Sequence, residues 1–429
     1  MHTRKLYEEF LITSMVAGFD PVEVASARGC RITDVDGSEY LDCFSGISVC
    51  NAGHGHPKVT AAAKAQIDAL IHCGSYVYYS PQAGRLAEAL AGITPGALRK
   101  SFLANSGAEA IEGALRLAKH YSGRHEFVAL THGFHGRTYA TLSITGNSGR
   151  KRGGGPYMSG VAFAPAPYAY RCPYDSRSDA ECAERCAEEL ARVIRYHGSG
   201  DVAAFVAEPV LGEGGIIVPH ESYFRLVKEI LDEAGILFLC DEVQTGFGRT
   251  GRLFAIEHYG VEPDILAMAK GIADGFPLSA FIARAEVADA FTPGSHLSTF
   301  GGNPVSCAAA LANIAVMRDE HLPENAEARG EQIRAALAPL ASETTLVGEV
   351  RGRGLMIGVE LVRDAAKTPA VAEAQEVKKR CREAGILVGV GGSLGNVVRL
   401  QPPLVLSEDE AAQVVDRLSA ILRELDRAA

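Results

Sequence analysis

Four unbroken apolar runs of strand length, 126-EFVAL-130, 202-VAAFVA-207, 236-ILFLC-240 and 265-ILAMA-269, constrain this chain more than any other feature. A strand that buries one face alternates apolar and polar residues. A continuous run suits a strand covered on both faces, as in a parallel sheet with helices above and below. Helical stretches fill the gaps. In 222-SYFRLVKEILDEA-234, Tyr223, Val227, Ile230 and Leu231 fall on one side, and Gly235 supplies the stop. In 108-AEAIEGALRLAKH-120, Ile111, Leu115 and Ala118 recur in helical step. Strands alternating with helices predict an α/β fold around a mostly parallel sheet.

The chain ends read differently. Within 31-RITDVDGSEYLD-42, Asp36-Gly37 predicts a hairpin turn between two strands. After about residue 320, charged helices alternate with short strands such as 354-GLMIGVEL-361 and 386-ILVGVG-391. The expected division is residues 1–50 as the N-terminal part of a small domain, 51–320 as a large α/β domain, and 321–429 as the rest of the small α+β domain. A chain of 429 residues can bury such a core.

A net charge of -10 argues against nucleic acid and anionic membrane as partners. No run approaches the ~20 apolar residues that span a bilayer. The longest candidate, 307–317, contains Asn313 and reads as a core helix. The N-terminus carries acids where a secretory signal needs its apolar stretch, and the ten cysteines follow no framework spacing. Both point to a reducing cytoplasm. His54/His56 and His132/His135 lack a matching Cys, Asp or Glu cluster, so no metal is expected.

The stretch 236-ILFLCDEVQTGFGRTG-251 poses the chemical question. Its glycines fit a dinucleotide-binding turn. That fold needs an acid at the end of the next strand. Here Glu262 and Asp264 come before the next run, and Lys270 ends it. An acid, Asp241, and a lysine, Lys270, thus close two neighbouring strands about one strand–helix–strand unit apart. Carboxyl ends of parallel strands are where such sheets bind ligands. Apolar neighbours around Lys270 disfavour its charged form and free a nucleophilic amine. An acid and such an amine facing one ring are the anchors of pyridoxal phosphate. For the phosphate, Ser106, Gly107 and Ala108 open a helix with free N–H groups.

The ordered set 105-NSGAEA-110, 132-HGFHGRT-138, 208-EPVLGEGG-215, 241-DEVQTGFGRTG-251, 264-DILAMAKGIADGFPLSA-280, 298-STFGGNP-304 and 399-RLQPPL-404 resembles the class III aminotransferases of fold type I. It looks closest to the 4-aminobutyrate, ornithine and alanine–glyoxylate group. The resemblance implies that Lys270 forms the Schiff base and moves a proton, with Asp241 on the pyridinium nitrogen. Val243 and Phe134 would sandwich the ring, with His135 and Gln244 beside it. Thr299 would reach the neighbouring subunit's phosphate, which implies a homodimer. On the substrate side it implies that Arg399 grips a carboxylate, that Glu208 pairs with Arg399 as a switch, and that Arg137 is a second anchor. Ile47 and Tyr76 would line the pocket. Leu211 departs from the glutamine common in relatives, which bears on the donor's identity.

Together these imply transfer of an amino group from an amino acid or ω-amine to an α-keto acid by a ping-pong route. A decarboxylase, epimerase or aminomutase shares the same cofactor anchors. A nicotinamide oxidoreductase rests only on 246-GFGRTG-251, and a non-catalytic cofactor-binding protein would show no half-reaction.

Overall fold

The computed structural model describes residues 2–12 and 19–428. Its largest sheet has seven strands in the order Leu98–Ala104, Ser279–Arg284, Ile265–Met268, Leu237–Asp241, Val202–Ala207, Glu126–Leu130 and Val161–Ala164. Only Ser279–Arg284 runs against its neighbours; the remaining pairs are parallel.

The unbroken apolar runs have a direct structural counterpart. In Leu237–Asp241, Phe238 and Cys240 join the core on one face, while Leu237 and Leu239 join the core on the other. In Ile265–Met268, Leu266 and Met268 turn one way, Ile265 and Ala267 the other. Helices Asp179–Tyr196 and Tyr223–Ala234 cover the first face, and Gly107–Ser122 covers the second. Both predicted helix limits have local causes. The Ser106 side chain accepts from Glu109 N to start one helix, and Gly123 and Gly235 end theirs in left-handed conformations at φ 68° and 60°.

The chain ends meet in smaller sheets. The predicted hairpin joins Arg31–Asp34 to Glu39–Asp42, with the Asp34 carboxylate accepting from Asp36 N and Ser38 N. The stretch 386–391 does not form one strand as expected. Ile386–Leu387 pairs in parallel with Leu41 and Asp42, whereas Gly389–Gly391 pairs with Val397–Leu400 of another sheet. At the crossing, a Cβ on Gly389 would stand 2.2 Å from the Phe44 ring, so only glycine lets the backbone change sheets there. Strands Met356–Leu361 and Val397–Leu400 form the middle of that sheet and bring Arg399 toward the large sheet. Among the described residues, no helix is long and apolar enough to cross a membrane.

Candidate active site

The residues singled out by the sequence converge at the carboxyl edge of the large sheet. Asp241 is the last residue of its strand, and Glu208 follows Val202–Ala207. His132, Phe134 and His135 follow Glu126–Leu130, and Lys270 lies two residues beyond Met268. Asp241 is buried. Its Oδ1 accepts from Val243 N at 3.0 Å, and its Oδ2 lies 2.7 Å from His135 Nδ1. Burial disfavours charge on His135, yet the hydrogen bond and charge of Asp241 outweigh it and raise its pKa. His135 thereby fixes the orientation of the Asp241 carboxylate at the strand end.

Lys270 adopts φ +47°, a left-handed conformation that costs a side-chain-bearing residue of order 1–3 kcal/mol. It begins a single 3-10 turn, Lys270–Ile272. Asn313, the polar residue inside the apolar helix Pro304–Asp319, donates to Gly271 O at 2.7 Å and Ile272 O at 3.1 Å. This asparagine therefore ties down the turn that aims the lysine. Burial pushes the Lys270 amine below its usual pKa, against the pull of Glu213, Asp241 and Glu208.

Beside these residues lies the start of helix Gly107–Ser122, whose first N–H groups have no intrahelical acceptor. A Cβ on Gly107 would come within 2.7 Å of Val243, so glycine lets this terminus close onto the residues that follow Asp241. Gln244 Nε2 and His135 Nε2 are buried with no partner among the described residues. Orphaned donors of this kind suit a bound polar ring. A lowered-pKa lysine, an acid, a helix terminus and unpaired amide hydrogens together fit pyridoxal phosphate.

On the substrate side, one expectation is corrected. Glu208 does not pair with Arg399. Its two carboxylate oxygens accept from Phe134 N and Gly212 N, each at 2.9 Å. Burial, moderated by His135, pushes its pKa up to about 7. The partner of Arg399 is Glu213, with Arg399 Nη1 2.8 Å from Glu213 Oε1. The two acids stand five positions apart, and the tight turn at 211–217, closed by the Leu211–Ile217 bridge, carries the second one across to the arginine. Burial raises the Glu213 pKa, but Arg399 and then Arg150 overcome it and hold it at about 2. The quoted segment 208-EPVLGEGG-215 already contained this second acid.

Other expected residues sit at the margins. Arg137 is exposed, its guanidinium 5.6 Å from the Phe134 ring centre. Ile47 is partly exposed and adopts φ +69°, rare for a β-branched residue. Thr299 and Tyr76 are exposed on the single chain. Arg249, in the glycine stretch 246-GFGRTG-251, is fully buried. It donates to Leu355 O, to Pro402 O and to Asn51 Oδ1. That stretch therefore knits three chain segments together. Spacing alone did not disclose this.

The family model for class III aminotransferases matches residues 15–422. The chain belongs to that family. It is 40% identical over 406 residues to the acetylornithine aminotransferase of Methanothermobacter thermautotrophicus, covering 94% of this chain and 95% of that one. It is 40% identical to the 4-aminobutyrate aminotransferase of Mycobacterium tuberculosis, with 94% and 92% covered. A leucine/methionine racemase of Thermococcus litoralis is 38% identical, with 95% and 92% covered. Among solved structures, an amine transaminase from an uncultivated Pseudomonas species in its PLP-bound form superposes with a TM-score of 0.91 at 35% identity, covering 97% and 99%. The enzyme is a pyridoxal-phosphate-dependent transaminase of fold type I, with a large, mostly parallel sheet and a separate small-sheet domain.

Proposed function

We propose that this transaminase takes an amino group from an ω-amino donor of the 4-aminobutyrate, β-alanine or ornithine type. The acceptor is an α-keto acid, such as 2-oxoglutarate, pyruvate or glyoxylate, and the two half-reactions alternate. The observation that carries this reading is the Arg399–Glu213 pair facing Lys270. A donor amine remote from its carboxylate leaves Arg399 without a substrate partner, and Glu213 then neutralises it. An α-keto acid brings a carboxylate that displaces Glu213, and the planar guanidinium grips it through two hydrogen bonds. One site thereby serves two substrates of different charge pattern.

Pyridoxal phosphate, when bound, supplies an electron sink for charge left on the substrate carbon. The chain's own groups do the rest. Lys270 Nζ, its pKa lowered, would take the proton from that carbon and deliver it to the cofactor's aldehyde-derived carbon rather than back to the substrate. Asp241, backed by His135, keeps a positive ring nitrogen favourable. The Gly107 and Ala108 amides, with Ser106, would hold the phosphate, and Val243 and Phe134 would cover the ring. Arg137 offers a second cation for the distal carboxylate of a longer donor. In a homodimer, Thr299 adds a contact to the neighbouring phosphate. A cytoplasmic setting suits the ten thiols.

The racemase relative makes a comparison necessary, since an epimerase would return the proton to the same carbon and release no keto acid. The Glu213 shield argues for substrates that alternate in carboxylate position. Holoenzyme mixed with 4-aminobutyrate, β-alanine, ornithine, alanine and an arylalkylamine, with no keto acid present, tests the reading by absorbance and product analysis. The expected result is stoichiometric single-turnover conversion by an ω-amine, with release of its carbonyl product. If no amine converts the enzyme, the transamination reading fails. Glu213→Gln should shift the donor preference about tenfold or more from ω-amines toward α-amino acids; an unchanged ratio removes the switch.

A further inference from the structure

The carboxylate of Glu213 is held by two guanidiniums. Arg399 Nη1 meets Oε1 at 2.8 Å, and Arg150 Nη2 meets Oε2 at 2.9 Å. The two arginines differ in freedom. Arg399 is 5% exposed, its guanidinium 5.4 Å from the Phe44 ring centre, and Gly391 packs so tightly on it that a Cβ there would touch its Cζ at 2.8 Å. It cannot follow a departing carboxylate. Arg150 is 36% exposed and ends a short 3-10 turn, Ser148–Arg150, at the outer side of the pocket. Its loop is anchored: Asn147 Oδ1 accepts from Gly149 N, Tyr157 OH donates to Lys151 O, and Met158 N donates to Ser143 Oγ.

We propose that Arg150 is the second holder of the switch: it keeps the Glu213 carboxylate when Arg399 releases it to an incoming α-keto acid. This rests on the Glu213 switch described above and adds the residue that fixes its open position. The energetic argument turns on asymmetry. With Arg399 covered, Glu213 shares its charge between two cations, so losing Arg150 removes one partner of two. With Arg399 occupied by substrate, Arg150 is, among the described residues, the cation left in contact with it, and losing it strands a largely buried carboxylate. Removing Arg150 therefore penalises the open position more than the closed one. It raises the cost of admitting a carboxylate at Arg399 while sparing donors that leave the pair closed. Arg150 is a positioning residue, acting on substrate through Glu213.

The test uses holoenzyme carrying Arg150→Gln, Arg150→Lys, Glu213→Gln or both glutamine changes. Single-turnover kinetics give apparent KM and rate for each half-reaction, and calorimetry gives the Kd of propionate, an unreactive carboxylate. For Arg150→Gln the expected result is about a fivefold or greater rise in the propionate Kd and the keto-acid KM, with the ω-amine KM unmoved. Arg150→Lys should restore most of the affinity. In the Glu213→Gln background, Arg150→Gln should have no further effect. If it weakens propionate equally in both backgrounds, Arg150 binds substrate directly and the inference is overturned. It is also overturned if Arg150→Gln moves both half-reactions alike or neither. Should Glu213→Gln itself leave donor preference and propionate affinity unchanged, the switch reading fails instead, a different outcome from failure of Arg150 alone.

Discussion

At the scale of single residues, this chain buries carboxyl groups whose protons matter to its stability. Burial pushes Glu242 to about 7, against hydrogen bonds from the Thr245 hydroxyl and Ile256 N. Glu208 and Asp274 are also pushed to about 7 by burial. In the unfolded chain such groups lose their protons near pH ~4. Between about pH 4.5 and pH 7 the folded chain therefore binds more protons than the unfolded one, and stability falls as pH rises through that window. Glu213 runs the other way: held at about 2, it contributes stability above the ordinary carboxylate range that is lost as pH drops toward 2. Glu242 is the cleanest probe because it touches no expected substrate group. The Glu242→Gln enzyme should show a flatter dependence of unfolding midpoint on pH between about 5 and 7 than wild type. Parallel curves for the two proteins would rule out Glu242 as a source of that slope.

At the scale of elements, the helix Gly107–Ser122 meets the turn that follows strand Leu237–Asp241 at Gly107 and Val243, and in the proposed site that contact would set how closely a phosphate approaches the helix start. Gly107→Ala puts a methyl 2.7 Å from Val243 Cγ1, so either the helix terminus or the ring-side valine must retreat. Cofactor dissociation, followed by dialysis and fluorescence, should rise about tenfold or more, with the unfolding midpoint of apoenzyme little altered. Unchanged affinity would mean the terminus does not press on the cofactor. The elements themselves were legible because their signals are local. Apolar runs of strand length marked the doubly covered strands, and Ser106 and Gly235 marked helix limits. Asp241 and Lys270 stood out because strand ends converge on one edge. What escaped the sequence depended on distant partners. Choosing Glu213 over Glu208 required knowing how the 211–217 turn crosses to Arg399. Asn313 shows in the sequence only as a polar residue in an apolar helix; its role lies in its bonds to the carbonyls beside Lys270. The split at 386–391 arises from packing on Phe44, which no local pattern encodes.

At the scale of the whole molecule, the single chain leaves one face unfinished. Ile71, Tyr76, Val77, Tyr78 and Tyr79 are exposed, as are Leu297 and Phe300 from a remote segment. The two segments are one surface: the His72 and Phe300 rings stand 5.6 Å apart, Ser75 Oγ donates to Gly301 O, and Asn303 Nδ2 donates to Ile71 O. This surface continues to the start of helix Gly107–Ser122, because Asn105 Nδ2 donates to Ser298 Oγ beside Thr299. A contiguous aromatic patch of this kind on a chain of this size marks an interaction surface. A second copy is the partner that would give Thr299, exposed on the single chain, a contact. Two-fold pairing buries the same patch on both subunits, so a charge placed there meets its own image. Phe300→Glu should therefore shift sedimentation from dimer toward monomer. Activity should fall with dilution in step with dissociation, and cofactor should be lost in parallel as Thr299 leaves the neighbouring site. Thr299→Ala separates the two effects: it should weaken cofactor binding while leaving the sedimentation coefficient that of a dimer. If Phe300→Glu remains a fully active dimer, the patch is not the subunit interface. If Thr299→Ala binds cofactor as tightly as wild type, the site is complete within one chain.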